Sequence, residues 1–464
     1  MKKSICIFCA AFLLQSSNAF AQNSLTLDEA IEIIKTENLE LKSAAYDIQA
    51  AQADKNAAFA AHFGKLDLIQ DVARSDDAGN VFGFKLAGRE AAFGDFGFNE
   101  FFDSMNSGAA FTPAGQQALL TQQPHDLNYP EARNFFQTKL KYEVPLFTGF
   151  KIESYNEIAQ AMTKMKTLEK EQLLNEKIYE IRKSFHDMAL LKDAIGNLEI
   201  ILKNIETLEN MTQEMIAVGY AKKVDLLEVQ AKKGNVERLV RQMQSNQELL
   251  YHYISFLLNQ EVSTITTPSS NVNEPHFSDE EILRRNIDIQ KAHTGLEVRS
   301  SMVDVAQASY YPTLGAFAEI STADDTFLGD ASDHKSYTLG ARLSWNLFSG
   351  GGDSAALEKS RVEKLKTKTQ VELAKKGIIL QVAKIRTEIK TFDAEIDSLQ
   401  KELALANEIY KNYEGRYREK LSSMSDVIIK QSEQIQKILQ LQEVKNKRNE
   451  RIFALEKLAH GEQL

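Results

Sequence analysis

Proline is scarce in this 464-residue chain. Seven occur, and none lies between Leu146 and Thr267 or between Thr313 and Leu464, so two long stretches lack the residue that most readily breaks a helix. Long helices are the first expectation. Cysteine is scarcer: Cys6 and Cys9 are the two present. Both fall in a segment that reads as a removable leader, so the processed chain has no thiol and must be held together by packing or assembly. No run of about 20 apolar residues appears, apart from a shorter one near the N-terminus, which excludes a helical membrane protein. Basic excess is also missing. The net charge is −10, and −12 without Lys2 and Lys3, a balance that argues against a nucleic-acid surface. A composition 43% hydrophobic and 26% charged excludes disorder and collagen.

Lys2 and Lys3, the apolar run Ile5 to Leu14 and Ala19-Phe20-Ala21 compose a secretory signal over residues 1–21, with the mature chain starting at Gln22. The rest of the sequence contains an internal repeat. Val144-Pro-Leu-Phe-Thr-Gly-Phe150 aligns with Trp345-Asn-Leu-Phe-Ser-Gly-Gly351, and Gly219-Tyr-Ala-Lys-Lys-Val-Asp-Leu-Leu227 aligns with Lys420-Leu-Ser-Ser-Met-Ser-Asp-Val-Ile428, both at an offset of 201 residues. Thr26-Leu-Asp-Glu29 and Ser278-Asp-Glu-Glu281 read as capping boxes that open helices. Asn38-Leu-Glu-Leu41 likewise matches Asn286-Ile-Asp-Ile289. The expected organisation is a first repeat over 22–263, a linker rich in Ser, Asn and Pro over 264–277, and a second repeat over 278–464. Each repeat reads as helix, strand, long loop, strand, long helix, tight turn, helix.

Two periodicities separate the parts of each repeat. Ile378, Val382, Ile385, Ile389, Phe392, Ile396, Leu399, Leu403, Ala406, Tyr410, Tyr413 and Tyr417 alternate steps of four and three, the 3.5-residue period of a left-handed coiled coil. The matching helix, roughly Lys151 to Val218, keeps Ile178, Ile181, Phe185, Met188, Ile195, Leu198, Leu202 and Ile205. Each helix would be about 100 Å long. From Tyr337 to Phe348 the period is two: Leu339, Ala341, Leu343, Trp345 and Leu347 alternate with polar residues or glycine. Leu140, Tyr142, Val144 and Leu146 repeat the pattern, whereas Leu66 to Ala73 and Leu314 to Ser321 alternate more weakly. Such strands suit a transmembrane barrel with a wet interior, with Leu140, Tyr142, Val144, Leu339, Leu343 and Trp345 facing lipid; a soluble sheet packed on helices is the alternative. Four strands in lipid would leave two unpaired edges, so closure requires several copies, and three copies give twelve strands, a better channel than eight.

With the duplicated halves, the two strand-to-helix joints and the turns ending at Asp225 and Asp426, the chain resembles the TolC-like outer membrane efflux protein family over nearly all of its mature length. The resemblance implies a mainly α fold with a small β part. A homotrimer would carry a twelve-stranded barrel in outer membrane lipid and a coiled-coil tunnel of twelve helices in the periplasm, with the linker wrapping the tunnel at mid-height. It further implies a passive duct of a tripartite efflux or type I secretion system, opened by a periplasmic adaptor (membrane fusion) protein and an inner-membrane pump of RND or ABC type. The exported substrate and the pump class are not legible. A periplasmic coiled-coil scaffold without a barrel is the competing reading.

Function is expected at the turns, where the resemblance implies gate and adaptor-contact residues Gly219, Lys222, Lys223, Asp225, Arg418, Lys420, Ser422 and Asp426. In this reading Asp426 lines a constriction and, repeated by three-fold symmetry, forms a carboxylate ring that attracts cations. Ile429 stands where a second acidic residue is often found, Ser422 where some members place an arginine, and Lys420 where Gly219 predicts glycine. Arg418, Lys420, Lys222 or Lys223 are available to pair with Asp225 or Asp426 and hold the mouth shut; the alternative is that all are helix-end charges solvated at a turn. The insert 75–134, rich in Phe and Gly, reads as a loop at the extracellular mouth. No enzyme is expected. Gly350-Gly-Gly352 lacks a following Gly-Lys-Ser/Thr, the eight histidines are scattered without paired metal spacing, and no Gly-x-Ser-x-Gly occurs, so no catalytic site, cofactor or metal is assigned.

Overall fold

The computed structural model describes residues 24–269, 272–327, 329 and 332–459. The secretory signal and its cleavage site therefore lie outside the described residues. In chain order the elements are α1 (Leu27–Glu37), α2 (Leu39–Ala60), β1 (Lys65–Ser75), α3 (Ala78–Ala87), α4 (Phe98–Asn106), α5 (Pro113–Thr121), α6 (His125–Asn128), β2 (Arg133–Phe147), α7 (Lys151–Ala217), α8 (Lys223–Leu258), α9 (Asp279–Arg285), α10 (Ile287–Gln307), β3 (Thr313–Asp324), β4 (Lys335–Ser344), α11 (Gly352–Arg418) and α12 (Met424–Leu458). The two 67-residue helices α7 and α11 begin and end 201 residues apart. Both occupy the proline-free stretches.

Contacts divide the chain into two units: Met1–Ile48, Lys166–Ala292 and Val371–Leu464 form one, and Gln49–Met165 and His293–Gln370 the other. The first is helical. Its largest cluster buries Leu198, Ile201, Ile205 and Leu208 of α7 with Val229 and Val236 of α8, Tyr410 and Tyr417 of α11, and Met424, Val427 and Ile435 of α12. A second gathers Ala30, Ile34, Ile181, Phe185, Met188, Ile254 and Leu257, and a third Ile282, Val382, Ile385, Ile389, Ile452 and Leu455. These are the stripes the 3.5-residue spacing predicts. The linker contributes too: Ile265 joins the second cluster beside Val262 at the end of the first repeat's segment, and Ile265 bridges Leu25 in a parallel pair. His186, its ring tilted against that of Phe453, has its imidazole pushed down by burial to about 4.

Both capping boxes form as read, Thr26 with Glu29 and Ser278 with Glu281. The matched asparagines are equivalent in three dimensions. Asn38 Nδ2 donates to the Leu257 carbonyl at 2.8 Å while its Oδ1 accepts the Leu41 N–H; Asn286 Nδ2 donates to the Leu458 carbonyl at 3.0 Å while its Oδ1 accepts the Ile289 N–H. At each of the two places one buried amide thus joins two consecutive helices to the end of the helix returning from a turn.

The second unit carries an antiparallel sheet in the order β1-β2-β3-β4. Its register aligns Leu68, Leu140, Ile320 and Tyr337 in one row and Leu66, Tyr142, Ala318 and Leu339 in the next. The opposite face aligns Asp67, Lys141, Glu319 and Thr338. Three strand expectations are corrected. β1 and β3 run longer than the weak alternation suggests, and β4 stops at Ser344. The final β3–β4 pair is Thr313 with Ser344, and Pro312 has no N–H to continue the ladder. Trp345 therefore lies beyond the strand, its indole N–H donating to the Tyr310 carbonyl at 3.2 Å.

The insert 75–134 is helical where a loop was expected. Asp77 caps α3 and Thr112 caps α5, and the phenylalanines pack on one another: Phe84 stacks on Phe135 of β2, and Phe98 meets Phe93, Phe101 and Phe102. α3 and α5 are short and interrupted by glycine, so neither displays a full amphipathic stripe, whereas Phe98, Phe101, Phe102 and Met105 of α4 do recur at helical spacing. Among the described residues no helix is long and apolar enough to cross a membrane.

Candidate functional site

The turns joining α7 to α8 and α11 to α12 are built alike. After α7, Gly219 takes φ +81° and the Tyr220 N–H reaches back to the Met215 carbonyl at 2.7 Å. After α11, Lys420 takes φ +64° and the Leu421 N–H reaches the Arg416 carbonyl, also at 2.7 Å. Both are left-handed closures that satisfy the last carbonyls of a helix. Glycine adopts this geometry freely, but lysine holds it against steric strain. Its ammonium lies 3.2 Å from the centroid of the Tyr220 ring on the other turn, a cation–π contact that anchors it.

Each carboxylate begins its helix. Asp225 accepts the Lys222 N–H at 2.8 Å. Asp426 accepts the Ser423 hydroxyl at 2.6 Å and its N–H at 3.1 Å, while the Ser423 hydroxyl oxygen accepts the Asp426 N–H. These bonds from Ser423 hold the Asp426 carboxyl below the ordinary range, with smaller help from Arg416 and Lys430. The basic partners expected from sequence are engaged otherwise: Arg418 pairs with Glu414 at 3.3 Å and Lys420 with the Tyr220 ring. Among the described residues Arg418, Lys420, Lys222 and Lys223 make no ion pair with Asp225 or Asp426, because capping already claims both carboxylates.

What ties the turns within one chain is a set of contacts that sequence reasoning missed. Ser425 Oγ donates to Glu228 at 2.7 Å, and Lys232 donates to Ser432 at 2.8 Å. Ser422 spends its hydroxyl on the Tyr413 carbonyl at 3.2 Å. Ser423 was detectable, since Ser-x-x-Asp before an apolar run is a capping signature. The Ser425–Glu228 and Lys232–Ser432 pairs had no local signal.

On the sheet, Leu140, Tyr142, Val144, Leu339 and Leu343 share one face by register. Most of that face is open, with Tyr337 83%, Leu339 77% and Leu68 74% exposed. Trp345 is also exposed, past the strand end. The opposite face carries Lys139 with Asp71 at 3.0 Å and Lys141 with Glu143 at 2.7 Å. An antiparallel sheet with one apolar and one charged face, both outer edges unpaired among the described residues, suits insertion into a boundary between lipid and water.

Comparison with known proteins agrees with this geometry. Residues 280–459 match the outer membrane efflux protein family. Nodulation protein T of Rhizobium leguminosarum bv. trifolii is 22% identical over 264 residues, which cover 54% of this chain and 56% of that protein; the chain thus spans little more than half the length of this relative. The fold matches that of CusC with a TM-score of 0.75 at 14% identity, over 93% of this chain and 91% of that one. It also matches the outer membrane protein VceC of Vibrio cholerae with a TM-score of 0.73 at 15% identity, over 93% and 95% respectively.

Proposed function

From its place among the TolC-like outer membrane efflux proteins, we propose that the chain is the outer membrane duct of a tripartite efflux or type I secretion system. The observation that carries the reading is the sheet: four strands, one broad exposed apolar face, and two edges without partners. Three copies close those edges into a twelve-stranded barrel, and their long helices form a periplasmic tunnel. Apolar residues left open on α11, among them Val362, Leu365, Leu373 and Leu380, support neighbouring copies as the cover. Repeats over 22–263 and 278–464, joined by 264–277, supply the paired halves.

The turns are the periplasmic gate and the adaptor contact. Asp426 from each copy forms the carboxylate ring at the constriction, and the ties Ser425–Glu228, Lys232–Ser432 and Lys420–Tyr220 hold the inner and outer helix pairs together in the closed state. An adaptor that engages these turns and a pump of RND or ABC type would open the duct, which does no chemistry itself. The test is reconstitution: the purified protein should fractionate with outer membranes and, in planar bilayers, produce discrete conductance steps with cation preference. A protein that stays soluble without detergent and leaves bilayers silent overturns the reading and returns the periplasmic scaffold.

A further inference from the structure

Where the insert meets the β3–β4 hairpin, three side chains distant in sequence converge. Glu90 follows α3, Asp324 ends β3 and His334 precedes β4, and each offers a ligand atom within 4.8 Å of the other two. The imidazole is already oriented. His334 Nδ1 lies 3.1 Å from the Ala323 carbonyl, which can only accept, so this nitrogen carries the proton and Nε2 keeps its lone pair. Orientation of one ring nitrogen by a backbone carbonyl is the usual support of a metal-binding histidine. Charge points the same way: Arg133 pairs with Glu90 and lies 3.6 Å from Asp325, so one guanidinium is shared by two carboxylates.

We propose that Glu90, Asp324 and His334 bind a divalent transition metal of the Zn²⁺ class, with water completing the coordination. One imidazole and two carboxylates form a borderline donor set that takes Zn²⁺ ahead of the hard cations Mg²⁺ and Ca²⁺. Ligand atoms of a tetrahedral zinc at about 2.1 Å stand roughly 3.4 Å apart, so side-chain torsions close the remaining gap. The ion would staple the insert to the β3–β4 hairpin. This site is separate from the duct function, and a failure at one leaves the other standing.

The test uses the untagged mature protein in detergent, titrated with Zn²⁺ against a chromophoric chelator. Wild type should bind one Zn²⁺ per chain saturably, and His334→Ala should weaken binding by about tenfold or more. His252→Ala, on the exposed side of α8, should match wild type. Zn²⁺ should slow proteolysis within 75–134 in wild type and not in His334→Ala. Should that variant fail to assemble, Asp324→Asn supplies the same comparison. Absence of saturable binding, or wild-type affinity in a ligand variant, overturns the site; weak uptake shared by all variants means adventitious surface binding only and overturns it equally.

Discussion

At the second turn a single carboxylate has an observed role as a cap and a proposed one as a gate, which substitution can separate. Asp426 caps α12 through Ser423, and in the assembled duct it would form the cation-attracting ring. Asp426→Asn keeps an acceptor for the cap but removes the charge, whereas Asp426→Ala removes both. Both variants should lose block by divalent cations in planar bilayers, while only Asp426→Ala should also fray the start of α12, read as faster exchange of its first-turn amides. Undiminished block in Asp426→Asn would show that the carboxylate is a solvated helix end and that the constriction lies elsewhere on the inner helices. The pH dependence has a definite sign. Because hydrogen bonds from Ser423 depress the folded-state pKa, the contribution of the charged cap is complete above the unfolded value near 4 and is lost as pH falls through the folded one. Protection of the first-turn amides should therefore be flat from about pH 7 to 5 and decline only in stronger acid.

At the scale of elements, strand register decides which side chains the proposed barrel would turn to lipid. Leu339 lies mid-strand on the open apolar face and Thr338 on the opposite one. Leu339→Arg should reduce the yield of membrane-assembled protein, since a mid-membrane charge on a barrel's lipid face costs about 2 to 4 kcal/mol. Thr338→Arg, on the face that the proposed barrel would turn to its wet interior, should assemble near wild-type yield. Equal yields would show that the face, or the barrel itself, is wrong. Elements with strong periodicity were legible from the residues: the stripe from Ile378 to Tyr417 is the buried stripe of α11, and the Asn38 and Asn286 matches became equivalent buried amides. Tertiary context decided the rest. β4 ends where Pro312 breaks the ladder, α3 and α5 of the insert, capped by Asp77 and Thr112, are too short to show a period, and Lys420 occupies a glycine geometry because Tyr220, 200 residues away in sequence, offers its ring. Likewise, no spacing rule could join Glu90 to Asp324 and His334.

For the whole molecule the decisive quantity is what lies beyond the two sheet edges. In the sheet order, β1 and β4 are separated by two strands, about 14 Å at the usual strand spacing. A disulfide needs Cα atoms about 4.4 to 6.8 Å apart, so cysteines placed in β1 and β4 cannot join within one chain. The strands alternate direction, so in the proposed assembly β4 of one copy would meet β1 of the next in the antiparallel sense that a closed barrel requires. Ile69 and the residues Ser336, Thr338, Gly340 and Arg342 share the charged face through the register, and removal of Cys6 and Cys9 with the leader would leave no competing thiol. We therefore expect that Ile69→Cys combined with a cysteine scanned over those four positions will give, at one or two of them, a non-reducing ladder of dimer and trimer that collapses to monomer on reduction. Light scattering in mild detergent should report three chains per particle before any oxidation. A ladder extending beyond three would replace the trimer with a larger ring. If every pair stays monomeric while the protein is membrane-inserted and helical, the edges are covered by something other than a second copy, and the twelve-stranded barrel fails.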